Sequence, residues 1–169
     1  AILNYARGNY AEAYRWAMKD AKLAALEPYT LLERGYIYFG LTEDPQAEQW
    51  FRRALDLQPD FVYASLMLSA VSLYRGDFAK AKGYCRESLA ADPDNITTLN
   101  SVGNIEWFSG DFTSAKEHFD KAYQLSKSVG DFTLRGNATG LGFSLVMFGR
   151  RADGLKFLTE SRRLHEEEV

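Results

Sequence analysis

The residues best able to carry chemistry in this sequence are its two histidines and its single cysteine. His118 and His165 lie among charged residues, in KEHFDKA and RRLHEEEV, and neither has a second ligand-type residue at metal-binding spacing. We predict two exposed structural histidines and no metal site. Cys85 falls in an apolar position of the repeat described below, which favours a buried thiol over a nucleophile.

Two other patterns match catalytic or cofactor motifs only in part. The segment ATGLG at 138–142 lacks the preceding strand and the third glycine of a dinucleotide-binding turn. Asp92 and Asp94 flank Pro93, which is typical of a turn with capping residues and not of an acid/base pair. We therefore expect neither enzyme activity nor a cofactor.

Composition and charge limit the function classes further. The chain has 169 residues, 46% of them hydrophobic, and a formal net charge of −3 with scattered Lys and Arg, which argues against a nucleic-acid partner. No apolar run reaches the roughly 18 residues needed to cross a bilayer, and no leader is recognisable, so we expect no membrane segment. The single cysteine fits a reducing compartment and predicts a cytoplasmic protein.

A spacing of 34 residues runs through the chain. Ala13, Ala47, Ala81 and Ala115 are each 34 residues apart, and Gly154 continues the series after a slip of five. Each is followed four residues later by an apolar residue, namely Ala17, Phe51, Cys85, Phe119 and Leu158. Apolar residues also recur at spacings of three and four, which predicts helices throughout.

A glycine, an Asn or Asp, an aromatic residue and an alanine or threonine recur in ARGNYAEA, YRGDFAKA and FSGDFTSA. Glycine can end a helix in the left-handed conformation, and the polar residue after it can cap the next helix. The predicted caps are Asn9, Asp77 and Asp111. Asp44, followed by Pro45, is predicted to cap in the second unit, whereas Arg150 occupies the cap position of the last helix, which we expect to fray first.

These residues resemble the tetratricopeptide repeat, a helix-turn-helix unit of about 34 residues, over essentially the whole chain. The resemblance implies an all-α, right-handed superhelical solenoid of antiparallel helix pairs. The units would form one array that is a fragment of a longer protein, with a partial unit at 1–27 and units at 28–61, 62–95, 96–134 and 135–169. SKSVGD would lengthen one helix, and Asp131 would cap the next.

In this family the first helix of each unit lines a concave groove, and the resemblance implies which side chains face it. The partner-binding residues carried over in this way are Tyr5, Tyr29, Leu32, Tyr36, Tyr63, Leu66, Asn100, Asn104, Trp107 and Phe143. Phe39, Leu73 and Phe108 occupy similar positions near helix ends, where they are groove or core residues. The predicted function is a protein-interaction scaffold that binds a peptide or partner helix in this aromatic groove.

The alternative is a self-associating or regulatory segment of a larger multidomain protein. The first residues, AILNYARGNY, are more apolar than the polar end caps that repeat proteins need. This end could stack on a preceding repeat or on a second copy, which would make a homo-oligomer. The last unit opens with Gly136, Gly140 and Gly142, from which we expect very close packing or mobility.

Overall fold

The computed structural model describes residues 27–130 and 133–168, together with Glu12 and Arg15. Several predictions fall outside the described residues, namely those for Tyr5, Asn9, Ala13, Ala17, Asp131 and the stacking end at 1–10. The described helices are α1 (Pro28–Gly40), α2 (Asp44–Leu57), α3 (Val62–Tyr74), α4 (Phe78–Ala91), α5 (Ile96–Ser109), α6 (Phe112–Val129), α7 (Leu134–Met147) and α8 (Arg151–Glu168).

The regular structure of the described residues is entirely helical, and consecutive helices pack as pairs: α1 with α2, α5 with α6, and α7 with α8. The predicted all-α class built from helix pairs is confirmed. The chain forms two compact units, an N-terminal unit that ends at Gly76 and a C-terminal unit that begins at Asp77. A single array of four units and one partial unit remains a prediction.

The Gly-Asp turns take the geometry that their residues predict. Gly76 and Gly110 have positive φ angles of 76° and 87°, where a side chain would be strained. Asp77 and Asp111 then accept hydrogen bonds, at 3.1 and 3.2 Å, from the backbone N–H of the third residue of the following helix. Both predicted caps are confirmed. The hydrogen bonds from Ser114 also hold the pKa of Asp111 below its ordinary value.

Asp44 is not a cap, which corrects the prediction. Helix α2 begins at Asp44, and the cap position belongs to Glu43, whose side chain makes no capping hydrogen bond. The Glu43 carbonyl instead accepts the backbone N–H groups of Gln46 and Ala47, at 3.1 and 3.0 Å, and so closes the first turn one residue earlier. Asp44 therefore acts as an acidic first-turn residue, where its charge is favourable to the helix dipole.

The last helix begins next to a basic side chain, as predicted. The Arg150 carbonyl accepts the Gly154 N–H at 2.9 Å, which places Arg150 at the cap position of α8. Its guanidinium cannot accept a helix N–H and binds the Asp153 carboxylate instead, at 2.8 Å. Hydrogen bonds from Arg150 and Lys156 hold the pKa of Asp153 below its ordinary value. That this helix frays first remains a prediction.

Small residues let the paired helices approach each other. Ala47, Ala81 and Ala115 are fully buried, as the 34-residue spacing predicts. A Cβ atom added at Gly35 would overlap the ring of Phe51, the apolar residue of the same unit. The next apolar position holds the buried thiol of Cys85, which confirms its predicted core role.

Arg34 breaks the apolar pattern of the core. The residues that correspond to it in the other units are all buried and aliphatic: Leu68, Val102 and Leu141. Arg34 is only 6% exposed, and its guanidinium lies 4.9 Å from the ring centre of Trp50. Nε and one terminal nitrogen of this group have no hydrogen-bond partner within the described residues. Such a buried, unsatisfied polar group normally costs stability.

We predict that Arg34→Leu raises the free energy of unfolding by about 1–3 kcal/mol, because it removes unsatisfied polar atoms and restores the aliphatic residue of the other units. Arg53→Leu is the matched control, since Arg53 is exposed and also lies over Trp50, at 4.6 Å. It should change stability by less than about 0.5 kcal/mol. Urea unfolding measures both, and a destabilised Arg34→Leu variant would show that this guanidinium is stabilising.

Candidate binding cleft

A cleft of about 430 Å³ lies in the C-terminal unit between α5 and α7, with one ring of α6 at its base. Its size is within the range of roughly 300–1,000 Å³ that is typical of ligand pockets. The residues that line it are Asn100, Asn104, Trp107, Phe108, Phe119, Arg135, Gly136, Thr139, Gly140 and Phe143. Four predicted partner-binding residues are among them, so the structure brings together Asn100, Asn104, Trp107 and Phe143.

Glycines determine how closely α7 approaches the base of the cleft. A Cβ atom added at Gly140 would lie 2.6 Å from the ring of Phe119, and one at Gly142 would lie 2.8 Å from Leu158. These two glycines are therefore sites of close packing. The sequence predicted either close packing or mobility here. Among the described residues, and apart from the chain neighbours and the backbone of its own helix, no atom would lie within 4 Å of a Cβ atom at Gly136, so this glycine borders open space.

Aromatic rings form the apolar wall of the cleft. The half-buried ring of Trp107 lies 6.4 Å from that of Phe143 and 4.9 Å from that of Phe112, measured between centroids. Phe143 is 50% exposed and Phe108 is 65% exposed, so Phe108 is a surface residue and not a core residue. The cleft therefore presents apolar surface that a ligand could cover.

A relay of amide side chains runs from the core to the cleft. Asn104 donates from Nδ2 to Oδ1 of Asn100 at 3.1 Å, and Asn100 donates to Oδ1 of the fully buried Asn137. Asn137 donates in turn to the hydroxyls of Ser126 and Thr133, at 3.0 and 3.2 Å. Because each amide donates towards the core, the hydrogen bonds to Asn100 and from Asn100 to Asn137 hold the Asn104 side chain in one orientation.

The outer end of this relay is an acceptor. Within the part of the chain that the structure describes, no group donates a hydrogen bond to the side-chain oxygen Oδ1 of Asn104. Asn104 lines the cleft, and its Oδ1 can accept an N–H from a ligand. The sequence identified Asn100 and Asn104 but not Asn137, although a polar residue at a core position of α7 was a usable signal.

Arg135 supplies charge at the edge of the cleft. It is exposed, and it is the one charged side chain among the described residues that line the cleft. One of its terminal nitrogens lies 3.5 Å from Nδ1 of His165, which is exposed as predicted. The other described residues that line the cleft are uncharged.

His118 is not an exposed histidine, which corrects the prediction. It is half-buried, and its Nδ1 lies 2.7 Å from Oε2 of Glu106 and 3.0 Å from the backbone carbonyl of Ser114. Two acceptors at one nitrogen assign the proton to Nδ1. The second oxygen of the buried Glu106 accepts the Lys82 ammonium at 2.7 Å. This cluster joins α4, α5 and α6 and is a structural contact.

A second polar contact fixes α8 behind the cleft. The hydroxyl of the buried Tyr123 donates to Oε2 of Glu160 at 2.6 Å, and the Lys127 ammonium donates to the same hydroxyl at 3.3 Å. Burial and the hydrogen bond to Glu160 raise the pKa of Tyr123. Tyr123 belongs to the same buried cluster as Phe119, so α8 supports the base of the cleft.

Two of the predicted tyrosines form a separate surface patch in the N-terminal unit. Tyr29 is 60% exposed and Tyr63 is 50% exposed. Both rings contact the buried ring of Phe61 edge to face, at centroid distances of 4.8 and 6.0 Å. The buried phenylalanine therefore supports two exposed phenol rings, which we call the tyrosine patch.

The other predicted contact residues that the structure describes in the N-terminal unit offer little surface. Leu32 and Leu66 are buried in its core. Tyr36 is half-buried and lies 5.9 Å from Phe51, edge to face. Phe39 and Leu73 are half-buried as well. Among the described residues that were predicted to line the groove in this unit, Tyr29 and Tyr63 are therefore the most exposed.

Neither a metal site nor a membrane-spanning helix is found among the described residues. There, no group of three or more His, Cys, Asp or Glu side chains is placed to hold a metal ion. None of the described helices combines the length and the apolar character that crossing a bilayer requires. A cytoplasmic location remains a prediction from the single cysteine.

Comparisons with known proteins agree with this architecture. The family model of the tetratricopeptide repeat matches residues 28–61 and 96–128. Among solved structures, residues 41 to the end of MamA from Desulfovibrio magneticus RS-1 are 22% identical, with a TM-score of 0.71, and the match covers 97% of this chain and 90% of that one. No curated protein sequence matches the chain.

Two other solved structures are closer in shape and more distant in sequence. TTC0263, a thermophilic tetratricopeptide-repeat protein of Thermus thermophilus, is 16% identical with a TM-score of 0.82, over 96% of this chain and 87% of that one. The apo form of RapI is 11% identical with a TM-score of 0.81, over 99% and 68%. The predicted resemblance to the tetratricopeptide repeat is confirmed at these two matched segments, and the solved structures share the fold.

We predict that Asn137→Ala lowers the free energy of unfolding by about 1–3 kcal/mol, because it removes a buried side chain together with its hydrogen bonds to Asn100, Ser126 and Thr133. Asn104→Ala removes only the outer end of the relay and should cost less than about 1 kcal/mol. Chemical denaturation of the two variants measures the difference. Equal losses would show that the buried amide does not anchor the relay.

Proposed function

We propose that this chain is a protein-interaction module that binds an extended peptide segment of a partner in the cleft between α5 and α7. The observation that carries the proposal is the combination of an exposed aromatic wall with an oriented amide acceptor. Trp107 and Phe143 supply the wall, and Asn104 supplies the acceptor. Tetratricopeptide-repeat arrays form extended binding surfaces of this kind, which supports the proposal.

The two parts of the cleft would bind different parts of the peptide. An apolar side chain would cover Trp107 and Phe143, and such central aromatic contacts contribute about 2 kcal/mol or more when they are hot spots. The Asn104 carbonyl would accept a backbone N–H. Because the backbone N–H groups of a helical ligand are already bonded to its own carbonyls, this acceptor favours an extended segment.

The tyrosine patch would be a second contact surface, in the N-terminal unit. Tyr29 and Tyr63 can bury their rings against a partner and keep their hydroxyls in water. Their rings already rest on Phe61, so little side-chain freedom would be lost on binding.

Peptide display tests the proposal. A random peptide library is selected on the immobilised protein, and the affinities of the selected peptides are then measured by fluorescence polarisation. Phe143→Ala should weaken binding about tenfold or more, which corresponds to about 1.4 kcal/mol. Leu155→Ala is the matched control, since Leu155 is a comparably exposed apolar residue of α8 that does not line the cleft.

Two outcomes would contradict the proposal. One is a selection that returns no binding peptide, and the other is a set of peptides that binds the Phe143→Ala and Leu155→Ala variants equally well. Light scattering across protein concentration, measured in parallel, would then test the alternative of self-association. Unchanged thermal unfolding of both variants shows that any loss of binding is local.

A further inference from the structure

One face of α5 carries amide groups at one end and aromatic rings at the other. Asn100 and Asn104 lie one turn apart on this helix, and both line the cleft. Trp107 and Phe108 follow on the same face, since residues three and four apart are neighbours on a helix. A segment that lies along α5 in the cleft would therefore contact both kinds of group.

The direction of the amide relay is set by a backbone carbonyl in the core. The hydroxyl of Ser126 donates its one proton to the Ala122 carbonyl, so it can only accept from Nδ2 of Asn137, at 3.0 Å. Nδ2 of Asn137 also lies 3.4 Å from that carbonyl. Oδ1 of Asn137 must then accept from Asn100, and Oδ1 of Asn100 from Asn104. This order assigns Oδ1 of Asn104 as the atom that the relay leaves unused.

Both asparagines of α5 keep polar groups that the relay does not use. A primary amide has two N–H donors and an oxygen acceptor. Asn104 uses one N–H for Asn100, and within residues 27–130 and 133–168 no hydrogen bond uses its second N–H or its Oδ1. Asn100 likewise has one N–H without an acceptor in that part of the chain. The cleft therefore offers a donor and an acceptor on Asn104 and a second donor on Asn100.

We propose that these two asparagines bind the main chain of the peptide at alternate residues. Asn104 pairs with both the N–H and the C=O of one residue, which we call the paired residue, and Asn100 donates to the C=O of the residue two positions away. This inference rests on the proposed function and specifies its ligand. The ligand is an extended segment whose paired residue is not proline and has a side chain that is free to vary.

The spacing of the two asparagines matches that of an extended chain. Four residues of a helix rise about 6 Å, and two residues of a strand rise about 6.6–6.8 Å. In a strand the N–H and C=O of one residue point to the same side, as in antiparallel pairs that exchange two hydrogen bonds, and those of the next residue point to the other side. Alternate residues of an extended peptide therefore present their main-chain groups at nearly the spacing of Asn100 and Asn104.

Selectivity for side chains is left to the aromatic end of this face. Trp107 lies three residues beyond Asn104, about 4.5 Å along the helix axis, which corresponds to one or two residues of an extended chain. An apolar side chain one or two residues from the paired residue would therefore reach Trp107 and Phe143, whose rings are 6.4 Å apart.

Ester substitution in the peptide main chain tests the proposal. The tightest peptide from the display selection is synthesised as a series in which each backbone N–H in turn is replaced by an ester oxygen, and affinities are measured by fluorescence polarisation. We expect one ester position to weaken binding about fivefold or more, and the others to change it by less than about twofold. At that residue, alanine should keep the affinity within about threefold, and proline should weaken it about tenfold or more.

The Asn104→Ala variant tests whether this side chain makes the main-chain contact. The unmodified peptide should bind it about fivefold or more weakly, and the ester at the sensitive position should cause no further loss. Leu155→Ala is the matched control, outside the cleft, and should keep both the affinity and the ester effect. An ester effect of equal size in the parent protein and in Asn104→Ala, or a series with no sensitive position, would overturn the proposal.

The failure of this inference can be told apart from the failure of the proposed function. Peptides that lose affinity in Phe143→Ala but bind equally well as amides and as esters would show that the cleft binds side chains and not the main chain, which overturns the inference alone. Peptides that bind Phe143→Ala as tightly as the parent protein would overturn the proposed function, on which the inference rests.

Discussion

The C-terminal unit depends on the packing of one aromatic ring between two glycines. The ring of Phe119, on α6, lies so close to Gly103 of α5 and Gly140 of α7 that a Cβ atom at either position would be within 3 Å of it. Contacts of this kind allow neither a larger residue nor a shifted helix without strain. They fix the distances of α5 and α7 from the same ring, and these two helices form the walls of the cleft.

The function proposed for this cleft follows from that constraint. With α5 and α7 fixed on one ring, the side chains that extend beyond Phe119 face an open space, and Trp107 and Phe143 line it. The amide relay is fixed in the same way, because Asn137 on α7 accepts from Asn100 on α5. Rigid helices that present a few oriented groups require little ordering when a peptide binds, and that preserves affinity.

The sequence predicted what depends on local rules or on the repeat. Asp77 and Asp111 follow glycines and cap helices, and the alanines of the 34-residue series are buried. The prediction from the sequence was wrong at Asp44, because an Asp followed by a Pro is compatible with two helix starts that lie one residue apart. His118 and Asn137 depend on partners that lie 11 to 37 residues away on other helices, and the residues next to them in sequence do not indicate those partners. The sequence does not distinguish Gly136 from Gly140. The structure does, because the ring of Phe119 lies against Gly140 and not against Gly136.

The free energies of unfolding of Gly140→Ala and Gly136→Ala, compared by urea denaturation, test the central claim most directly. Both substitutions place a better helix former in α7, and in open space this should stabilise the protein by up to about 1 kcal/mol. Contact with Phe119 should instead make Gly140→Ala destabilising, by about 1–3 kcal/mol. Opposite signs are the result that the ring packing predicts, and equal stabilisation of both variants would contradict it.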